Sequence, residues 1–524
     1  MPTSTFLALN IGVSALETAQ QTENVISNNI ANASTSGYAV ENAVIDESQA
    51  FPANNESLPV GQMGQGSQVV QIQRQTNAYL DAQDRSNQGY LAMYQAHQTT
   101  LTQLQGIINE PSSSGLQNAV DQFFQSWQTL STDPTNTAAR QSVISQAQSV
   151  AQTFETVTSQ LEQQQQGLAQ TIEGQVNELV GYSAQVATLN QQIAMQTQIG
   201  QSPNPLLDQR AEFLNKMAKL ANITYSTQSN GAVNVFLGNG ANAIPLVGGN
   251  GTASEYNQDL NPSITGTNVV WTAYNEPPSS PSETSDYLPS SSGYTGQGSV
   301  TSPSNSLLSA INSGAIAGNV QGLDDASRTL ASVNDFLNNF SSEVNSQQAE
   351  GLTLGGTAGP PLFEVTNDSA GNVVLQAAPD PSTNTPFTTA DIAAGGAADG
   401  PEGNSNATAM FQLQSAGQSG SGTWQYVRVA GDNAVTAPYS SSGTFDESLA
   451  SIVSQIGVEA QSVNNSESTA SALAQQSSTL RQSVSGVDMN QQAALMVQFQ
   501  NSYNAAAKFI SVFNSMLQTL IQSV

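Results

Sequence analysis

The chain has 524 residues, 39 acidic and 10 basic, so its formal net charge is −29 although only 9% of it is charged, against roughly 25% in ordinary soluble proteins. Seven arginines scattered from Arg74 to Arg481 and three lysines form no patch for nucleic acid. With no cysteine and one histidine, His97, thiol chemistry and closed Cys/His metal sites have no ligands, and neither metal nor cofactor is expected. No run of about 18 apolar residues occurs, so no membrane insertion is expected. The opening MPTSTFLALNIGVSALE lacks the basic start and small-residue cleavage site of a secretory signal.

Proline breaks a helix by removing a hydrogen bond and clashing with the preceding turn. It is missing from Pro2 to Pro52, Pro134 to Pro203, Pro303 to Pro360 and after Pro438, and these spans are expected to be helical. In chain order, Phe6, Leu9, Val13 and Leu16 continue toward Val25, Ile26 and Ile30 as one amphipathic helix. From Ile144 to Ile193, apolar or neutral residues recur at steps of three and four, among them Phe154, Leu161, Gln165, Leu168, Gln175, Leu179, Tyr182 and Val186. So long a pattern predicts one long helix packed along another, with Gln165 and Gln175 on the seam. The Gln163 to Gln166 run otherwise reads as solvated surface. Segments near 225–303 and 360–440 are rich in Gly, Pro, Ser and Asn. Short runs such as Val233 to Leu237, Asn268 to Ala273 and Trp424 to Val429 predict strands joined by turns there, and Gly238 to Pro245 reads as a hairpin turn. At the end, Met496, Phe499, Tyr503, Ala506, Ile510, Phe513, Leu517, Leu520 and Val524 form an apolar stripe at three/four spacing. Such a stripe needs a partner, and the first helix is the candidate. The alternative is that each terminal helix packs on its own domain.

The search for chemistry finds little. There is no phosphate loop, dinucleotide turn or nucleophile elbow. His97 has no catalytic motif around it and reads as structural or surface. Acid pairs such as Asp324 with Asp325 or Asp399 with Glu402 read as solvated surface, although two carboxyls at a suitable separation would serve a glycosidase. No segment has the ligand spacing of a calcium loop. Catalysis is not expected.

Ser27 to Tyr38, SNNIANASTSGY, resembles the N-terminal signature of the flagellar rod, hook and hook-associated axial proteins, carried by Ser27, Asn28, Asn29, Ile30, Ala31, Asn32, Thr35, Gly37 and Tyr38. Asn and Ser bond locally to the backbone and end a helix, while glycine permits the turn. Ser483 to Leu520 resembles the other half of that signature, through Ser485, Gly486, Val487 and Asp488, then Ala493, Phe499, Gln500, Tyr503, Ala505 and Ala506. Asp133 to Phe154, Ser202 to Ile223 and Gly314 to Gly351 resemble the long helical region found in the hook–filament junction members of that family.

The resemblance implies a mainly α fold with a β-rich outer part. Terminal helices (1–38 with 483–524) form an inner coiled coil. A long-helix bundle (39–224 with 305–352 and 443–482) surrounds it, and a β domain (225–304 with 353–442), reduced relative to the family, is inserted between helical segments. Part of that stretch, Pro379 to Asn406, is expected to lie as a loop along the helices. The implied function is a structural adaptor of the bacterial flagellum joining hook to filament. Self-association in a helical ring, hook protein, the third hook-associated protein and a type III export chaperone are the implied partners, and the place is outside the cell. The assembly interface is expected at Leu9, Val13, Leu16, Ile26, Asn29, Ile30, Asn32, Gly37, Tyr38, Met496, Phe499, Tyr503, Ile510, Phe513, Leu517 and Leu520. Alternatives are another flagellar axial protein, a non-flagellar coiled-coil surface adhesin, or a cell-wall glycan hydrolase.

Overall fold

The computed structural model describes residues 3–522 apart from 56–57, 240–242, 249–259, 266–267, 274–310, 368–372, 378, 381–384, 417 and 427–434. Helix α1 (Thr3–Ala31) leads into two nested antiparallel hairpins, β1 (Glu41–Glu47) with β4 (Ser67–Arg74) and β2 (Phe51–Asn55) with β3 (Leu58–Met63). The proline-free span to Pro52 is therefore not helical throughout. Absence of proline permits a helix, but the β-branched Val44 and Ile45 of β1, paired with a β4 that carries Val69, Val70 and Ile72, favour a pleated ribbon.

Four helices follow: α2 (Ala78–Ile108), α3 (Leu116–Thr132), α4 (Thr137–Gln198) and α5 (Asn204–Leu220). Asn77 and Asn136 cap α2 and α4, each side chain accepting from two backbone N–H groups of the first turn. At 62 residues, α4 is about 93 Å long. Strands β5 (Ile223–Thr227), β6 (Val233–Leu237) and β7 (Ile244–Val247) form an antiparallel sheet in that order, and β8 (Leu260–Thr265) pairs with β9 (Asn268–Ala273). The predicted strands at 233–237 and 268–273 and the turn after Leu237 are present, although 240–242 within that turn lie outside the described residues.

Helix α6 (Ala315–Glu350) returns along the bundle, flanked by Gly314 and Gly351. After it come the pairs β10 (Phe363–Asn367) with β11 (Val373–Ala377) and β12 (Pro379–Asp380) with β13 (Thr385–Pro386), then α7 (Ser405–Leu413), and β14 (Gln418–Tyr426) paired with β15 (Val435–Gly443). Residues 427–429 of the strand expected from Trp424 are outside the described residues. Helix α8 (Phe445–Ser485) starts with a Thr444/Glu447 capping box, and α9 (Met489–Gln522) follows after a break at Gly486.

The core is helical. Residues 144, 147, 151, 154, 158, 161, 165, 168, 172, 179, 186, 189 and 193 of the α4 pattern are buried, as expected. Val143, Val150, Val157 and Val176 are buried as well, so the seam is wider than one coiled-coil stripe. That breadth follows from its partners, since α3, α5, α6 and several strands all pack on it. Gln165 is a seam residue rather than solvated surface, donating to Ser327 Oγ at 3.3 Å. At one end Phe123, Phe124, Phe336, Phe340, Phe363 and Phe445 pack edge-on and stacked at centroid separations of 5.2–6.0 Å, which favours a fixed arrangement of α3, α6 and the start of α8.

Polar ties hold the loops. Arg140, fully buried at the start of α4, donates to the carbonyls of Pro134 at 2.6 Å, Thr389 at 3.2 Å and Ile392 at 2.6 Å. It thereby lays part of the Pro379 to Asn406 segment along the helices. One expectation of a solvated carboxylate changes, and a second carboxylate lies at the surface as expected but with fixed partners. Asp325 is buried, facing His97 Nε2 of α2 at 2.5 Å and paired with Arg328, because α2 and α6 pack in contact there. Asp399 lies at the surface yet accepts from the backbone N–H of Gly396, Asn404 and Ser405 and from Ser405 Oγ, at 2.7–2.8 Å. Those donors, Ser405 first, hold its carboxyl well below its ordinary value.

Candidate assembly interface at the chain termini

The two ends of the chain pair with each other. Gly12 of α1 faces Phe509 and Ile510 of α9, while Asn29 reaches Gln492, so the helices run antiparallel. At Gly12 a Cβ would sit 2.8 Å from Phe509 Cδ1 and 3.1 Å from Ile510 Cγ1, so the missing side chain lets α9 come close. Of the expected residues, Ile26 is buried, and Leu9, Leu16, Ile30, Met496, Phe499, Tyr503, Ile510, Phe513 and Leu517 are half-buried along this contact. Val13 is more exposed, at 37%. The side chains of Phe6 and Leu520, and Val524 altogether, lie outside the described residues.

Asn29 is the hub. Its Oδ1 accepts from Tyr38 Oη at 2.7 Å and from the Glu41 N–H at 2.9 Å; its Nδ2 donates to the Glu41 carbonyl at 2.8 Å and to Gln492 Oε1 at 3.0 Å. One buried amide thus fixes the end of α1, the start of β1 and the first turn of α9. Asn32 serves only the local turn, donating to Asn28 O and Oδ1 and accepting from Thr35 Oγ1. Gly37 has φ +79° and lies against α5, with a Cβ there 3.2 Å from the Asp208 carbonyl, so both backbone angle and space call for glycine.

Charges brace the same joint. Arg74 pairs with Asp208 at 2.5 Å. Burial raises the Asp208 carboxyl above its ordinary value, and the Arg74 guanidinium opposes that shift. Burial first, then the Glu41 and Asp208 carboxylates, keep the Tyr38 phenol protonated well above 10. On the other strand of the joint, the Val40 N–H donates to the Ser485 carbonyl at 2.9 Å. A polar cleft of about 960 Å³ opens between residues 33–38 and 483–488.

Sequence reasoning missed Gln492, Glu41 and Asp208. It also missed the exposed apolar residues of α9: Phe509 (46%) at the edge of the contact, with Val512 (50%) and Met516 (64%) beyond it. These three recur at the same three/four spacing as the paired stripe, a signal present in the sequence beside the first. Nothing local pointed to Gln492.

The pattern describing the flagellar hook-associated protein FlgK helical domain matches residues 101–363, half of the chain. The chain belongs to the FlgK family. Flagella basal body rod protein matches residues 9–38, and the C-terminal region of the flagellar basal body rod FlgEFG proteins matches 480–523, so the shared ends carry both walls of the cleft. Along its full length the chain is 27% identical to flagellar hook-associated protein 1 of Bacillus subtilis, covering 99% of that protein. It is 24% identical to the Escherichia coli protein of the same name, over 98% of this chain and 99% of that one. The fold is similar to the flagellar hook junction protein FlgK of Burkholderia pseudomallei, with a TM-score of 0.55 and 18% identity over 77% of this chain and all of the other. The family is one of structural flagellar components, and the mainly helical architecture with small sheets agrees with it.

Proposed function

We propose that this chain is a non-enzymatic adaptor at the hook–filament junction, outside the cell. Copies associate in a helical ring through the α1–α9 pair, with hook protein on one side and the third hook-associated protein on the other. The observation that carries this reading is the antiparallel terminal pair, which covers one stripe of α9, reaches only the edge of Phe509 and leaves Val512 and Met516 exposed. Exposed apolar residues in a row are a surface for other subunits. In this arrangement the terminal pair is the innermost unit, the bundle built on α4 forms the next shell, and the strands after α5 and α6 face outward. Before assembly the same bare face of α9 is the site for an export chaperone, which would hold it as an amphipathic helix in a groove.

Deletion of Met496 to Val524 tests this directly. The truncated chain is expected to keep its helical core yet fail to join the hook, and the cells to release filament protein into the medium. Normal filaments on those cells would overturn the proposal. Cleavage of peptidoglycan by the purified chain, abolished by changing a carboxylate pair, would favour the hydrolase reading.

A further inference from the structure

Helices α2 and α8 share an apolar strip that neither the core nor the terminal pair uses. Tyr79 and Tyr90 are eleven residues apart on α2, three helical turns, and so lie on one line. Leu473, Leu480 and Val484 lie likewise on α8, and the five are 37–73% exposed. The helices run antiparallel, since Arg481 pairs with Asp84 at 2.9 Å and Gln98 donates to Asn464 at 3.3 Å. Tyr90 and Leu473 flank a groove of about 390 Å³ floored by Ala470.

Charge narrows what can cover it. In a chain of 39 acidic residues, Asp81 of α2 is two residues from Tyr79 and so on the opposite side of the helix, no acid follows between residues 85 and 108, and α8 has none after Glu467. Asp84 is buried and Arg481 is engaged with it. A basic peptide finds no carboxylate here, and an anionic lipid or nucleic acid finds no free cation on the strip. An apolar surface fits, and a strip without carboxylates does not repel a second acidic copy; the same chain carries such a surface, with exposed Asp46 and Glu47 only at the far end of its ribbon. Ile45, Val70 and Ile72 are 36–51% exposed on the β1–β4 ribbon. Their own molecule does not bring them to the strip, because Thr18 Oγ1 donates to the Ser67 carbonyl and Asn204 to the Ile72 carbonyl, holding the ribbon on α1 and α5. The strip also begins at Val484, in the wall of the cleft from which the terminal pair departs. A ring is built from contacts between two different patches, repeated around the axis.

We propose that the α2–α8 strip is the lateral docking face for the β1–β4 ribbon of a second copy of this chain, a contact that rests on the adaptor reading above and locates its next interface outward. The full chain with p-benzoylphenylalanine at Tyr90 tests it, irradiated both on isolated flagella and as purified protein at rising concentration. The expected product is a self-adduct whose partner peptide comes from residues 41–74. Adding Leu473→Glu, with the melting temperature checked, is expected to lower its yield about tenfold or more, since a carboxylate would be buried unpaired. Incorporation into flagella without a self-adduct, or an adduct to a different flagellar protein, overturns the docking face and leaves the adaptor standing. A concentration-dependent self-adduct from a chain that never reaches the flagellum keeps the face and removes the adaptor.

Discussion

Asn29 shows how much one side chain does at the joint: its amide makes four hydrogen bonds to three residues, Tyr38, Glu41 and Gln492. Asn29→Ala leaves Gln492 and the Glu41 backbone without that partner and is expected to cost about 1–3 kcal/mol, read as a lower melting temperature and earlier proteolysis at Ser485 to Asp488. The Asn-rich turn was legible as a local motif, but its reach to Gln492 was not, because 463 residues intervene and no pattern links them. Carboxylates were read least well. Asp325 and Asp399 have no distinguishing neighbours in sequence, and only folding supplies their donors. Asp446, in the first turn of α8, is similar: burial first raises its carboxyl above 3.8, and Glu447 adds to that, while Gln414 opposes it. Burial and the Asp446 charge raise Asp121 in the same way. The folded state therefore holds these protons more firmly than the unfolded chain, so their contribution to stability is largest at low pH and is lost as pH rises through the folded value. Asp446→Asn is expected to raise the melting temperature near neutral pH and to lose that advantage as the pH falls toward 3.8; an equal shift at every pH would contradict this.

At the scale of elements, α1 and α9 depend on a close approach at one point. Gly12→Leu puts a branched side chain where Phe509 and Ile510 already lie, and is expected to separate the terminal pair while leaving the α2–α8 core folded. Helicity would stay near that of the parent, and limited proteolysis would remove both ends first. The long helices were legible because apolar periodicity and missing proline agree over many turns, as they do along α4. The ribbon of β1 and β4 was not, because its strands are short and the proline-free span that holds β1 suits either structure. Alternation in SQVVQIQR was the available signal, and it is weaker than a helical stripe of several turns.

Across the whole molecule, a net charge of −29 coexists with few charged groups and with apolar contact surfaces on α9, α2 and α8. Self-association through such surfaces is expected to hold or strengthen when salt rises from about 0.1 to 1 M, since screening weakens repulsion between acidic copies and leaves apolar burial intact. Sedimentation at the two salt concentrations checks it, and dissociation at high salt would point to ion pairs instead. The overall plan, ends together and strands between, was legible from two matching stripes at opposite ends; which faces remain bare was not, because exposure depends on every neighbour at once. The meeting of the two ends also does something that no single helix can. Because α9 follows every other described element, and α2 and α8 lie side by side next to the terminal pair, a chain that stops before Met489 has nothing to close on α1. Without α9, α1 stands unpaired, so the paired surface carries its own check that the last helix has been made.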